Sequence, residues 1–356
     1  MRNSLILVLS SLVFSLNAST TFARGPTRTP KVESQKDLRE KLADYVVEEI
    51  AATELLQSGS AVRTDQFTDP GDYSGAFRFD NRHRTYFLHV PIGYDGQAPM
   101  PLVVMLHGGG GTGFQVARDT GFNDLADAQG FHVVCPNAFP ITPFDKVWAD
   151  GRGTSLNEVR GVDDVGFVNA VVDYVSARLH VDDKRVYLAG VSNGSILAHR
   201  IACQQGNRFA AFSGVAGTFP DAIVGTCELD GLMPALFFHG TLDGFSPFDG
   251  GEVSSFRGGV VLSVSESMGL WSALNGCSSE FAFEDEPDLD PTDGTHVQRH
   301  DQIACPDSAS VVTYVIEGGG HTWPDGPGDA SDVFGIVTHD VNATRTIWDF
   351  FRQYSK

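Results

Sequence analysis

The sequence predicts an α/β fold in which helices cover both faces of a mostly parallel sheet. Three observations support this prediction. Short apolar runs alternate with segments of helical periodicity along most of the 356 residues. The runs are almost continuously apolar, which is typical of strands buried on both faces. Polar residues and glycine-rich turns follow several of the runs, as they do in parallel sheets whose sites collect at the carboxyl ends of the strands.

The individual elements follow from run length and spacing, beginning at about residue 75. The predicted strands are Arg84–Val90, Leu102–Leu106, Phe131–Cys135, Arg185–Ala189, a strand near Phe209–Gly214, Ala235–His239 and Val311–Ile316. The predicted helices are Asp163–Leu179, with Asp163 or Asp164 as its cap, a helix through Ile196–Cys203, and Ala343–Tyr354.

The N-terminal residues predict an exported protein. Arg2 is followed by the apolar run Leu5–Leu16, which is too short to span a bilayer, and then by small residues ending at Ala23. We therefore expect a signal peptide over residues 1–23, with cleavage after Ala18 as the alternative, and a secreted or periplasmic mature chain. A linker and an amphipathic helix, either packed on the body or acting as a flap, are predicted within 24–74, and the main domain within 75–356.

The net charge argues against some classes of partner, and the cysteine content bears on the compartment in which the protein works. A formal net charge of −20 argues against nucleic acid and anionic membranes as partners, and we expect a monomer. None of the five cysteines forms a Cys-x-x-Cys pair. In an oxidising compartment, we expect two disulfides that close short loops, Cys203 with Cys227 and Cys277 with Cys305, and we expect Cys135 to remain free in an apolar strand.

A Gly-x-Ser-x-Gly turn around Ser192 lies between a predicted strand and a predicted helix, where it predicts an exposed nucleophile. A serine nucleophile needs a base and an orienting acid. His321 follows a late strand in a glycine-loosened loop, and Asp243 follows another strand, with Asp249 as the competing acid. The chain order Ser…Asp…His is that of the α/β-hydrolases, a fold that here lacks a large lid because only 51 positions separate Ser192 from Asp243.

The turn also needs an anion site for the reacting carbonyl. We expect the N–H of Asn193 and an N–H of Gly108 or Gly109 to form it, since the run His107–Gly111 directly follows a strand. A phosphate-binding loop is the rival interpretation, but no Lys-Ser/Thr follows the glycines. No cofactor and no metal are predicted. The acidic segment Glu280–Asp301 is interpreted as a solvated hairpin, with calcium binding as the weaker alternative.

Two tryptophans, Trp148 and Trp323, are candidates for the wall of a substrate pocket. Trp323 lies two residues after the predicted base. Aromatic residues are most often part of the core, so each tryptophan has a structural alternative.

These motifs as a set resemble the polyhydroxybutyrate depolymerase/feruloyl esterase group, of carbohydrate esterase family 1 type. The resemblance covers roughly residues 75–356. It is carried by Leu106-His107-Gly108-Gly109-Gly110-Gly111, Trp148-Ala149-Asp150-Gly151-Arg152, Asp163-Asp164-Val165-Gly166-Phe167, Gly190-Val191-Ser192-Asn193-Gly194, His239-Gly240-Thr241-x-Asp243, Asp290-Pro291-Thr292-Asp293-Gly294-Thr295 and Gly318-Gly319-Gly320-His321-Thr322-Trp323-Pro324.

The resemblance implies a secreted serine ester hydrolase with Ser192, Asp243 and His321 as its triad. We expect feruloyl, acetyl or other short acyl esters of plant polysaccharide as substrates, with hydroxybutyrate oligomers as the alternative. A non-catalytic carbohydrate- or polymer-binding protein on the same fold is the alternative from a different class. Departures such as Ser195 and the segment Gly244-Phe245-Ser246-Pro247-Phe248 affect the expected pocket shape rather than the chemistry.

Overall fold

The computed structural model describes residues 67, 69–141, 146–254, 258–306, 309–326 and 333–356. The predicted signal peptide and the predicted N-terminal amphipathic helix lie outside these residues.

Ten of the twelve described strands form one sheet, in the order β1-β2-β4-β3-β5-β6-β7-β12-β11-β10. Strands β8 and β9 form a separate two-stranded pair. The strands are β1 Gly71–Phe79, β2 Arg82–Val90, β3 Met100–Leu106, β4 His132–Pro136, β5 Val181–Val191, β6 Ala211–Val215, β7 Ala235–Gly240, β8 Gly251–Glu252, β9 Val260–Val261, β10 Phe281–Asp285, β11 His296–Gln302 and β12 Val311–Glu317.

The six central strands are parallel, and an antiparallel hairpin extends each edge of the sheet. Pairs β4–β3, β3–β5, β5–β6, β6–β7 and β7–β12 are parallel. Hairpin β1–β2 joins β4, and hairpin β10–β11 joins β12. The predicted mostly parallel α/β sheet is therefore confirmed. The carboxyl ends of its six parallel strands lie along one edge of the sheet.

Seven described α-helices accompany the strands. They are α1 Gly113–Thr120, α2 Phe122–Gln129, α3 Leu156–Val159, α4 Asp164–Ser176, α5 Asn193–Gln205, α6 Val264–Leu274 and α7 Ala343–Phe351. Asp163 caps α4 by accepting a hydrogen bond from the Gly166 N–H, which settles the choice between Asp163 and Asp164.

Strand β3 shows how the sheet divides the core into two layers. Leu102, Val104 and Leu106 belong to one buried cluster, whereas Val103 and Met105 belong to the other. Successive side chains of a strand point to opposite faces, so a continuously apolar strand requires a helical layer on each side.

Two disulfides link the loops around the sheet. Cys203 at the end of α5 is bonded to Cys227, and Cys277 after α6 is bonded to Cys305 after β11. Cys135 is free and buried, and burial raises the pKa of its thiol.

Candidate active site

Ser192 stands at the turn between β5 and α5. Its backbone has φ 56° and ψ −124°, a combination that L-residues rarely adopt and that is typical of a strained nucleophile turn. Close packing requires glycine at position 194, where a Cβ atom would lie 2.5 Å from the carbonyl oxygen of His107. The turn therefore presents the half-buried Ser192 hydroxyl at the carboxyl edge of the sheet.

The loops after β7 and β12 bring an acid and an imidazole to this hydroxyl. Nε2 of His321 lies 2.8 Å from Oγ of Ser192. Nδ1 of His321 lies 2.7 Å from Oδ2 of Asp243. The structure thus joins the three residues that the sequence picked out, although they are 129 and 78 positions apart in the chain.

Asp243 is held as a carboxylate by its surroundings. Burial tends to raise its pKa, but hydrogen bonding and charge from His321 together hold the pKa below its usual value. The other oxygen, Oδ1, accepts hydrogen bonds from the backbone N–H groups of Phe245 and Ser246, each at 2.8 Å. Asp249, the competing acid, is exposed on the same loop.

A second histidine, which the sequence reasoning did not single out, contacts the same carboxylate. His239 is buried at the end of β7, and burial lowers its pKa. Its Nε2–H donates to the carbonyl of Ser246 at 2.8 Å and lies 3.5 Å from Oδ2 of Asp243. The signal available in the sequence was its place in the motif that also contains Asp243.

The glycine-rich loop after β3 runs beside Ser192. A Cβ atom on Gly108 would lie 3.2 Å from that of Ser192. The carbonyl of Gly108 accepts from the N–H of Gly111 at 3.0 Å and from Nδ1 of His107 at 2.7 Å. Within the described residues, no acceptor is found for the backbone N–H groups of Gly108, Gly109 and Asn193, so both predicted glycines and Asn193 have an N–H available to an oxyanion.

A cleft with a volume of about 410 Å³ opens over the serine. Trp323 lines it together with the polar side chains of Gln115 and Asp119 and the ring of Phe334. Trp148 does not line it. That side chain is completely buried beneath the loop, where its Nε1–H donates to the carbonyl of His107 at 2.8 Å, so its predicted place in the pocket wall needs correction.

The segment between Ser192 and Asp243 is described throughout and contains no inserted lid. It is occupied by α5, a 3₁₀ turn, β6, a second 3₁₀ turn and β7. Exposed apolar side chains occur on the two segments that are hydrogen-bonded to the loop before His321: Leu242 is 68% exposed, Phe334 45% and Ile336 44%, and of these three Phe334 lines the cleft. Phe245 and Phe334 both pack near the His321 ring, at centroid distances of 5.1 and 6.2 Å.

The acidic segment forms the hairpin β10–β11, as predicted. The carboxylate of Asp293 accepts from Thr295 and from the N–H of His339, so its oxygens stabilise the turn. No group of three or more potential metal ligands occurs in the part of the chain that the structure describes. Within that part, no helix has the length and apolarity needed to cross a membrane.

Comparison with known proteins shows that the sequence is similar to those of esterases. Residues 84–230 match the family model described as Esterase PHB depolymerase. A putative esterase, NocK, from Nocardia uniformis subsp. tsuyamanensis is 31% identical over 256 residues, which are 69% of this chain and 72% of that protein. Feruloyl esterase C from Emericella nidulans is 29% identical over 175 residues, covering 47% and 58% of the two chains.

Two further matches extend the comparison. Feruloyl esterase B from Piromyces equi is 24% identical over 76% of this chain, and the match spans 45% of that longer protein. Among solved structures, an acetyl xylan esterase from Aspergillus awamori has a TM-score of 0.50 at 16% identity. It covers 76% of this chain and 94% of its own, and this likeness confirms the α/β-hydrolase fold.

Proposed function

The chain belongs to the esterase PHB depolymerase family and is a carboxylic ester hydrolase; from this premise we propose that it works through an acyl-enzyme on Ser192. The observation that carries the proposal is the continuous hydrogen-bonded line from Ser192 Oγ through His321 to Asp243. Hydroxyl, imidazole and carboxylate in this order are the parts of a serine hydrolase triad.

The proposed reaction has two halves. His321 takes the proton of the Ser192 hydroxyl as the oxygen attacks the ester carbonyl, and Asp243 stabilises the imidazolium that forms. The N–H groups of Asn193 and Gly109 hold the oxyanion. His321 then protonates the departing alkoxide, leaving an acyl-serine. Water, deprotonated by His321, releases the acid and restores the hydroxyl.

A non-catalytic binding protein on this fold is the alternative from another class. Such a protein would have no use for a strained serine, a paired histidine and a carboxylate fixed by two backbone N–H groups. Strained conformations cost on the order of 1–3 kcal/mol each, and they cluster at active sites. The intact arrangement therefore favours catalysis.

The cleft supports short or aromatic acyl groups on plant polysaccharide as the substrate class. Trp323 and Phe334 offer ring faces for an aryl group or a sugar, and the nearby Gln115 and Asp119 offer partners for hydroxyl groups. Feruloyl esterase and acetyl xylan esterase activities are named for relatives and structural neighbours. The apolar rings of Phe245 and Phe334 beside His321 favour hydroxybutyrate oligomers as the second candidate.

We also propose that the protein is exported and acts outside the cytoplasm. The two disulfides support an oxidising compartment, and the apolar run Leu5–Leu16 behind Arg2 supports an export signal.

The proposal is tested by assaying the enzyme on methyl ferulate, acetylated xylan, hydroxybutyrate oligomers and esters of fatty acids longer than about ten carbons, with Ser192→Ala as the paired control. We expect Ser192→Ala to lose on the order of a millionfold in kcat while remaining folded. Long acyl chains should be poor substrates, because an open cleft does not bury the methylene groups that are worth about 0.8 kcal/mol each in a tunnel.

The outcomes separate the alternatives. Substantial ester hydrolysis by Ser192→Ala contradicts the proposed nucleophile. Preference for the long chains contradicts the open cleft. Cleavage of hydroxybutyrate oligomers without release of ferulate or acetate selects the polyester substrate over the polysaccharide ester.

A further inference from the structure

The segment Trp148–Arg152 lies between the two loops that would hold the oxyanion, and we call it the brace. Its contacts reach both loops. Trp148 Nε1–H donates to the carbonyl of His107 at 2.8 Å, and the Trp148 backbone N–H donates to Oδ1 of Asn193 at 2.7 Å. Nδ2 of Asn193 donates to Oδ2 of Asp150. All four side chains are at most 5% exposed, so water does not compete for these hydrogen bonds.

We propose that Asp150 is a positioning residue that fixes the two oxyanion-binding amides relative to each other through this brace. The inference rests on the acyl-enzyme mechanism proposed above. Asp150 touches neither the serine nor the ester. It acts through Asn193, whose backbone N–H is one of the two donors.

The side chain of Asn193 has little freedom to move. Its carbonyl oxygen and its amide nitrogen are both hydrogen-bonded to the brace. The preceding residue, Ser192, has a positive φ, and such a conformation persists only where neighbouring contacts compensate for its strain. Removing the Asp150 carboxylate therefore leaves the Asn193 side chain free to move. The backbone N–H of Asn193, the proposed oxyanion donor, directly follows the strained Ser192.

The second donor is fixed from the other side of the brace. Burial lowers the pKa of His107 to about 4, so this imidazole is neutral. Its Nε2 accepts from the Ala138 N–H at 3.0 Å, and its Nδ1–H donates to the Gly108 carbonyl. The C=O and N–H of a trans peptide point in opposite directions, so this contact also orients the N–H of Gly109.

Arg152 allows a carboxylate to be used so close to a developing oxyanion. Its Nε lies 2.9 Å and its Nη2 2.8 Å from Oδ2 of Asp150, and both side chains are almost completely buried. An unpaired carboxylate here would repel the negative charge of the tetrahedral intermediate. The guanidinium of Arg152 pairs with the charge of the Asp150 carboxylate. Its Nη1–H also donates to the Gly258 carbonyl at 2.7 Å.

The test compares Asp150→Ala and Asp150→Asn with wild type, using p-nitrophenyl acetate turnover and inhibition by a trifluoromethyl ketone. The ketone adds to the serine and places its oxyanion between the two amides. We expect Asp150→Ala to lower kcat about 100-fold with KM changed by less than about threefold, because misplacement by about 1 Å costs this much. The inhibition constant should rise by a similar factor. Asp150→Asn retains an oxygen for Asn193, so its loss should be roughly tenfold.

Asp182→Ala is the control for loss of an arginine-paired carboxylate, although its pair is partly exposed and the Asp150 pair is buried. Asp182 lies 2.7 Å from Arg185 near the start of β5, the strand whose other end carries Ser192. We expect kcat and the inhibition constant of this variant to equal those of wild type. If Asp150→Ala does not fold, Asp150→Asn alone decides.

Loss of activity in folded Asp150 variants without weaker ketone binding overturns the inference, since it indicates a merely structural role. The same holds if KM accounts for the loss. Failure of wild type to hydrolyse the ester, or retention of activity by Ser192→Ala, contradicts the proposed function instead, so the two failures are distinguishable.

Discussion

At the scale of single residues, we expect opposite effects on kcat from substituting two carboxylates of one loop. Asp243 lies against His321, and its pKa is held low, whereas Asp249 is exposed. We expect Asp243→Asn to lower kcat by about 10³- to 10⁴-fold, because an amide cannot stabilise the imidazolium or select the correct tautomer. Asp249→Asn should remain within about twofold of wild type. Steady-state kinetics of the two variants at one pH provides the measurement, and the reverse ranking would assign the acid to Asp249.

The three residues of the proposed triad could be picked out from the sequence because each follows a strand and has a characteristic local pattern. The place of Trp148 could not. Trp148 and Trp323 look equivalent in the sequence, since each is an aromatic residue within a candidate motif. Only the fold distinguishes them: Trp148 is buried against His107, 41 positions earlier in the chain, while Trp323 lines the cleft. The role proposed for Asp150 depends on the same kind of distant contact, with Asn193.

At the scale of elements, the predicted strands of the central sheet agree with the structure within a few residues, because buried parallel strands are continuously apolar. The edge elements are less visible. Strand β1 begins at Gly71, before the predicted domain start at residue 75, and β10 and β11 were predicted only as a hairpin. Most residues of β10 are exposed and most residues of β1 and β11 are only partly buried, so polar residues interrupt all three strands and leave no long apolar run to detect. Strand β5 likewise begins four residues before its predicted start, with Asp182, Asp183 and Lys184 among the added residues.

His89 forms hydrogen bonds that link three elements of the fold. From these contacts we predict a free energy of unfolding that depends on pH. It lies on β2, with Nδ1 2.7 Å from Asp72 of β1 and Nε2 3.1 Å from Asp127 of α2. Burial tends to lower the pKa of His89, but the two carboxylates outweigh this effect and raise it. The neighbouring His132 adds no opposing charge, since burial lowers its pKa to about 4.

A raised pKa in the folded state means that the ion pairs stabilise the protein fully below the unfolded-state value, about 6.5, and that this contribution is lost as pH rises through the folded-state value. We expect His89→Gln to lower the free energy of unfolding by about 1 kcal/mol at pH 6 and by clearly less at pH 8.5. Urea unfolding at both pH values measures the difference. A cost that is equal at both, or larger at pH 8.5, contradicts the assignment of a charged His89.

At the scale of the whole molecule, the two disulfides link segments outside the sheet that adjoin the elements carrying Ser192 and His321. Cys203–Cys227 closes a loop behind α5, the helix that begins next to Ser192. Cys277–Cys305 closes a loop around the edge hairpin beside β12, the strand that leads to His321. In the chain-entropy model, each disulfide raises the free energy of unfolding by about 3 kcal/mol, because it closes a loop of 24 or 28 positions in the unfolded chain.

We therefore expect full reduction to lower the melting temperature by roughly 10 °C for each bond, given a shift of about 2–4 °C per kcal/mol in a domain of this size. Cys203→Ala/Cys227→Ala and Cys277→Ala/Cys305→Ala should each lose about half of the shift that a reductant causes in wild type. Cys135→Ala is the control: it removes a buried thiol that forms no bond, so its reductant-dependent shift should match that of wild type. Peptide mapping without reduction identifies the pairs directly. A bond involving Cys135 would contradict the pairing, since Cys135 belongs to one buried cluster of the core, whereas Cys203 belongs to the other and Cys227 packs against that same cluster.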